Sequence, residues 1–231
     1  MRIFRIAGLT VLAALSAAVL TVPSAVAAPA ATWSSSSPQA SWSNGGYTVY
    51  NDVWGKGAGP QTIYANSGTN WWISTNQPNT GGVKSYANST KYVNKSLSSL
   101  HSVNSSVSFS TPSNGVWDAA YDIWDTNYAN EIMLWFNERV AGPLGSKVTT
   151  ASVGGSTWNV YRGSNGHQVY SFVRTSGENS GSVDVLAVLK WIESKGWFGN
   201  ITLGAVQFGF EVTSTSGTQT YKVNSYSVSS S

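Results

Sequence analysis

The chain has 231 residues, no cysteine, and 13 Lys and Arg against 10 Asp and Glu. Without thiols there are no disulfides, no cysteine nucleophile and no Cys-based zinc site, and two histidines, His101 and His167, are too few for the usual zinc ligands. No metal or other cofactor is expected.

At the start, Arg2 and Arg5 precede an apolar run from Ile6 to Val22, and Ala25-Val26-Ala27-Ala28 offers small residues for cleavage. This is the pattern of a secretory signal peptide over 1–28 rather than of a membrane span. The mature protein, 29–231, is then expected to be secreted, free of the membrane, a single domain and a monomer. Removing the leader leaves 11 basic and 10 acidic side chains, a charge of +1. That balance argues against nucleic acid, whose phosphates call for a basic groove. By contrast, 11 Trp and 11 Tyr exceed what a core of this size needs. Exposed aromatic rings stack on the apolar faces of sugars, while Asn, Gln, Ser and Thr bond their hydroxyls.

From Thr32 onward, short runs rich in Val, Tyr, Trp, Thr and Ser alternate with turn clusters such as Ser43-Asn44-Gly45-Gly46, Asn79-Thr80-Gly81-Gly82 and Gly163-Ser164-Asn165-Gly166. Many short strands at this spacing predict an all-β sandwich. The serine-rich stretch Ser34 to Ser37 and the tail Ser229 to Ser231 read as frayed ends. Glycines 55, 57 and 59 read as a turn, since no Gly-Lys-Ser/Thr ending supports a phosphate loop.

In Asn130-Glu131-Ile132-Met133-Leu134-Trp135-Phe136, strand alternation puts Glu131, Met133 and Trp135 on one face and Ile132, Leu134 and Phe136 on the other. Near residue 182 the pattern changes to a helix over about 182–195. Ser182 is the expected cap, Asp184 lies in the first turn, Val185, Leu186, Leu189 and Ile192 form the apolar stripe, and Gly196 is the stop. In Val206-Gln207-Phe208-Gly209-Phe210-Glu211-Val212, alternation again separates a core face from one carrying Gln207, Gly209 and Glu211. The other glutamates, Glu138, Glu178 and Glu193, read as solvated surface groups. Two carboxylates set into apolar strands are the minimum equipment for cleaving a glycosidic bond.

The stretches around Glu131 and Glu211 resemble the two catalytic strands of glycoside hydrolase family 12. Further similarity lies in Tyr47-Thr48-Val49-Tyr50-Asn51-Asp52-Val53-Trp54-Gly55, in Ala120-Tyr121-Asp122-Ile123 and in the segment from Gly163 to Phe172. The resemblance implies a two-sheet, concanavalin-like jelly roll with one α-helix on the convex face. It also implies a retaining endo-β-1,4-glucanase (a cellulase) acting on cellulose, mixed-linkage glucan or xyloglucan.

By motif, Glu131 would be the nucleophile, Glu211 the general acid and base, and Asp122 the carboxylate that supports the nucleophile. Trp54, sharing a strand face with Tyr50 and Asp52, would be the sugar-stacking platform. Asp52, Met133, Trp135, Trp72 and Asn165 would complete the substrate contacts. Two features depart from the family pattern: Val212-Thr213-Ser214 follows Glu211 where Pro-Phe is common, and Asp52 stands where asparagine is frequent. A xyloglucan-specific hydrolase and a non-catalytic, lectin-like sandwich are the alternatives.

Overall fold

A computed structural model describes residues 30–231, so the leader reading over 1–28 lies outside the described residues. The strands are β1 (Trp33–Ser35), β2 (Ser41–Asn44), β3 (Tyr47–Tyr50), β4 (Gln61–Ser67), β5 (Asn70–Thr75), β6 (Ser85–Ser96), β7 (Val103–Ser110), β8 (Val116–Asp125), β9 (Asn130–Arg139), β10 (Ser146–Val153), β11 (Ser156–Ser164), β12 (Gln168–Arg174) and β13 (Ser180–Asp184). Helix α1 (Val185–Ser194) follows, then β14 (Thr202–Ser214) and β15 (Gln219–Ser230). Nine strands form the larger sheet in the order β10-β11-β12-β9-β8-β14-β6-β3-β2, and six form the smaller in the order β1-β4-β5-β15-β7-β13.

Period-two alternation sets which way the central strands face. On β14, Val206, Phe208, Phe210 and Val212 are completely buried, as are Ile132, Leu134 and Phe136 on β9. On β8 the inward set is Trp117, Ala119, Tyr121 and Ile123. These side chains meet the smaller sheet through aromatic pairs: Phe109 of β7 lies 5.2 Å from Phe208, and Trp71 of β5 lies 5.7 Å from Phe210. Each large apolar side chain buried this way contributes about 1.5–3 kcal/mol relative to exposure, which is how the chain holds together without disulfides.

The helix differs from its sequence reading at its start. Ser182 belongs to β13, and Asp184 is the N-cap, its carboxylate accepting from the amide of Ala187 at 2.9 Å. An unprotonated carboxylate caps as well as serine does and favours the helix dipole. Val188 joins Val185, Leu189 and Ile192 in the buried stripe, while Leu186 is only partly buried. Trp191 meets Phe172 of β12 edge to face at 5.6 Å, so the helix covers the core-side face of the larger sheet.

Nor are the serine-rich ends frayed. Ser34 and Ser35 pair with β4, β15 pairs with β7 up to Ser230, and the amide of Ser231 donates to Ser102 O. Backbone pairing overrides composition here, because the ladder is made by main-chain groups that serine supplies as well as any residue.

Candidate active site

Strands β9, β8 and β14 are neighbours at the centre of the larger sheet, and their register gathers carboxyl groups on the face turned away from the core. Glu211 lies opposite Asp118, Gln207 opposite Asp122, and Trp124 opposite Glu131. Asp118, Asp122, Glu131 and Glu211, from three adjacent strands, therefore share one surface. Above them is a cleft of about 510 Å³, lined at its centre by Asp122, Glu131 and Glu211 with Trp124 and His167. Tyr50, Asp52 and Trp54 form one wall, Tyr86, Asn88 and Gln207 lie between, and Asn165 reaches in from the β11–β12 turn.

Each acid has a distinct environment. Glu131 accepts a hydrogen bond from Nε2 of His167 at 2.5 Å, and its side chain keeps 15% of its accessible surface. Burial raises its pKa, and the His167 hydrogen bond opposes the rise. Asp122 Oδ2 accepts from the Trp124 indole at 2.7 Å, but no donor among the described residues reaches its Oδ1. Burial first, and the charge of Glu131 second, push Asp122 well above the ordinary carboxylate range. Glu211 rises to about 7, mainly by burial and further by repulsion from Glu131, with a hydrogen bond from Asp118 opposing the rise. One carboxyl is thus only partly raised and bonded to a donor, while another is poised to keep its proton near neutral pH. That division is what acid/base chemistry on a sugar requires.

These environments couple stability to pH. Asp52 is pushed up to about 6 by burial and Glu211 to about 7, and burial raises Asp118 and Asp122 well above the ordinary carboxylate range. Between the ordinary carboxylate pKa and these values, the folded protein binds more protons than the unfolded chain, so stability falls as pH rises. The thermal midpoint is expected to be highest near about pH 4 to 5 and to decline toward about pH 8. Scanning calorimetry across that range checks it, and a midpoint that climbs toward neutrality would show these groups ionised in the fold.

The sequence-predicted residues fall into three sets. Glu131, Glu211, Asp122, Asp52, Trp54 and Asn165 come together at the cleft. Met133 and Trp135 share the face of Glu131 as expected, but they are buried in a small apolar cluster with Ala120, Ala141 and Val173 and do not line the cleft. Trp72 lies on the smaller sheet, stacked on Tyr64 at 5.3 Å, while its neighbour Trp71 enters the core.

The strand face expected for Tyr50, Asp52 and Trp54 is also different, since β3 stops at Tyr50. Asp52 has a left-handed backbone, φ 44°, and the chain then runs against the start of β6. Tyr86 N donates to Asp52 O, while Trp54 N and Gly55 N both donate to Lys84 O. A β-carbon on Gly55 would sit 2.1 Å from Val83 O, so only glycine permits this approach. Beneath it, buried Gln61 donates to Asn51 O at 2.9 Å and accepts from Ser85 at 2.9 Å, tying the segment to the sandwich.

Sequence reasoning missed Asp118, His167, Trp124, Tyr86, Asn88 and Tyr92, the last also lining the cleft, and named Tyr50 and Gln207 only as neighbours of Trp54 and Glu211. A signal for Asp118 existed: Asp118, Ala120, Asp122 and Trp124 alternate along one strand as clearly as the residues of β9 do. His167 had none, because it reaches Glu131 through the parallel pairing of β12 with β9, which sets Val169 beside Glu131.

An all-β sandwich with clustered, unequally protonated carboxyls under an aromatic-walled cleft has the equipment of a sugar-cleaving hydrolase. The family model for "Glycosyl hydrolase family 12" matches residues 45–230, and the chain belongs to that family. It is 33% identical to Endoglucanase S of Pectobacterium parmentieri, over 91% of this chain and 90% of that protein. The xyloglucan-specific endo-beta-1,4-glucanase A of Emericella nidulans is 36% identical over 80% of this chain and 86% of its own length. Among solved structures, the xyloglucanase domain of NopAA from Sinorhizobium fredii in complex with cellobiose superposes with a TM-score of 0.85 at 42% identity, covering 87% of this chain and 99% of that one. The family 12 xyloglucanase from Bacillus licheniformis superposes at 0.77 with 32% identity, over 86% and 100% of the two chains.

Proposed function

We propose that the protein is an endo-acting β-1,4-glucanase that cleaves with retention, with Glu131 as nucleophile and Glu211 as acid and then base. The observation that carries this reading is the pairing, on one face of adjacent strands, of a histidine-bonded Glu131 with a Glu211 raised to about 7. Glu131 attacks the anomeric carbon as Glu211 gives its proton to the departing glycosidic oxygen, leaving a glycosyl ester on Glu131. With Glu131 neutral as an ester, Glu211 no longer faces its charge and accepts a proton from water. That water attacks the same carbon and releases Glu131. Asp122, buried beside Glu131, holds a proton and shields the nucleophile's charge.

A cleft walled by rings and amides fits a neutral polysaccharide, and a polymer too large to enter a cell supports an enzyme that is secreted, as the leader pattern suggests. Trp54 is 57% exposed, as a stacking platform must be. Trp54→Ala is expected to raise KM on soluble glucan by about tenfold with little change in thermal midpoint, the usual scale for losing one stacking aromatic. Michaelis curves and thermal melts of the variant check both parts. The relatives named as xyloglucanases favour a second substrate, xyloglucan, for the same two glutamates. Reducing-end release from carboxymethyl cellulose, mixed-linkage β-glucan and xyloglucan tests the assignment. Activity on at least one polymer supports it, and none on any of the three would leave a sugar-binding sandwich.

A further inference from the structure

We propose that Asp118 is a positioning residue for the acid/base group, keeping its own proton through the catalytic cycle and donating it as a hydrogen bond to the carboxylate of Glu211. This rests on the reading of Glu211 as acid and base, and adds what sets the pH at which that residue changes role.

The geometry begins with register. Asp118 and Glu211 are directly opposed across β8 and β14 with both side chains on the cleft face, the spacing at which two carboxyls can share a proton. Asp118 is only 1% exposed, at the bottom of the site, while Glu211 lines the cleft. The register sets acids around Asp118: Glu211 opposite it on β14, Glu138 opposite it on β9, and Asp122 four residues along its own strand. Tyr86 of β6, itself buried, lies close enough to be influenced by both Asp118 and Glu211. No salt bridge reaches Asp118 among the described residues, and no N–H or O–H donor reaches its Oδ1.

A carboxylate so placed would be a buried charge without compensation, so the neutral acid is the stable form. A neutral carboxyl has one O–H to donate, and Glu211 is the acceptor opposite it. The consequence falls on Glu211. Burial and Glu131 favour its protonated form, which is needed for the first step, whereas the Asp118 hydrogen bond favours the carboxylate, which is needed for the second. Asp118 therefore keeps the proton on Glu211 from being held too tightly to leave.

Two variants separate this from a merely structural role. In Asp118→Leu the donor is gone, and the alkaline limb of kcat/KM is expected to move up by about one pH unit. In Asp118→Asn the amide still donates, and the limb is expected to stay in place. A downward move in Asp118→Asn would mean that Asp118 carries a charge in the wild type, and a loss of rate in Asp118→Leu with an unmoved limb would leave it structural. Either result overturns the proposal.

Should Asp118→Leu not fold, carbon NMR of carboxyl-labelled aspartate in the wild type decides. Five aspartates are present, and the resonance lost in Asp118→Asn is expected to keep its protonated shift from about pH 4 to about pH 8. Titration of that resonance near the ordinary value would refute the proposal. The NMR result does not depend on turnover, so it stands apart from any failure of the Glu211 assignment, which Glu211→Gln would reveal by retaining polymer cleavage.

Discussion

Glu131→Gln is expected to lower turnover on a soluble β-glucan by about five orders of magnitude, the scale seen when a covalent nucleophile is removed. The amide is nearly isosteric, and position 131 faces the cleft rather than the core, so the fold and polymer affinity should survive. The loss should therefore fall on kcat. Chemistry gives a sharper readout. In Glu131→Ala the vacated space admits a small anion, and azide entering from the nucleophile's side attacks the anomeric carbon of an activated β-glycoside directly. The product is an α-glycosyl azide, inverted because one displacement has replaced two. Polymer cleavage that persists in both variants would remove Glu131 from the role of nucleophile.

Glu211→Ala is expected to behave differently, and the contrast assigns the two residues. Without its acid, cleavage of the polymer should fall by about three to four orders of magnitude, since a sugar alkoxide leaves poorly unprotonated. An aryl glycoside whose phenolate leaves unaided should still form the glycosyl ester, giving a burst followed by slow hydrolysis because the base is missing as well. Azide then attacks the ester from the side of Glu211, and the product is the retained β-glycosyl azide. The pH profile carries the same message. Cleavage requires protonated Glu211, so wild-type kcat/KM should fall as pH rises through about 7, and the variant should lose that limb. A limb that survives in Glu211→Ala would assign the acid to another group.

The sequence made the proposed catalytic pair legible because a carboxylate interrupting an apolar strand is locally anomalous, and alternation alone then states which way it faces. Its partners were hidden for a physical reason. Asp118 meets Glu211 only through the pairing of β8 with β14, and His167 meets Glu131 only through the parallel pairing of β12 with β9. Such contacts are properties of register between distant segments. Trp72 shows the opposite error, since an aromatic residue on a strand does not reveal which sheet the strand will join. The Asp52 to Trp54 segment looked like a strand because its composition is strand-like, yet the left-handed backbone at Asp52 ends the pleat there. The helix was found from its apolar spacing, and its first turn was misplaced because serine and aspartate are both good caps.

The separation of faces on β8, β9 and β14 bears on how such an enzyme changes over generations. Along each strand, alternate positions answer to different demands. Those turned inward are constrained by the volume of the sandwich, and those turned outward by the chemistry of the polymer. A substitution at Gln207 touches no inward side chain of its own strand, so selection can trade one glucan for another without renegotiating the interior. The same arrangement limits the trade. Insertion or deletion of one residue within these strands would exchange the two sets, turning acids inward and phenylalanines toward the sugar, so new specificities should accumulate by replacement in the strands and by length changes only in the loops between them.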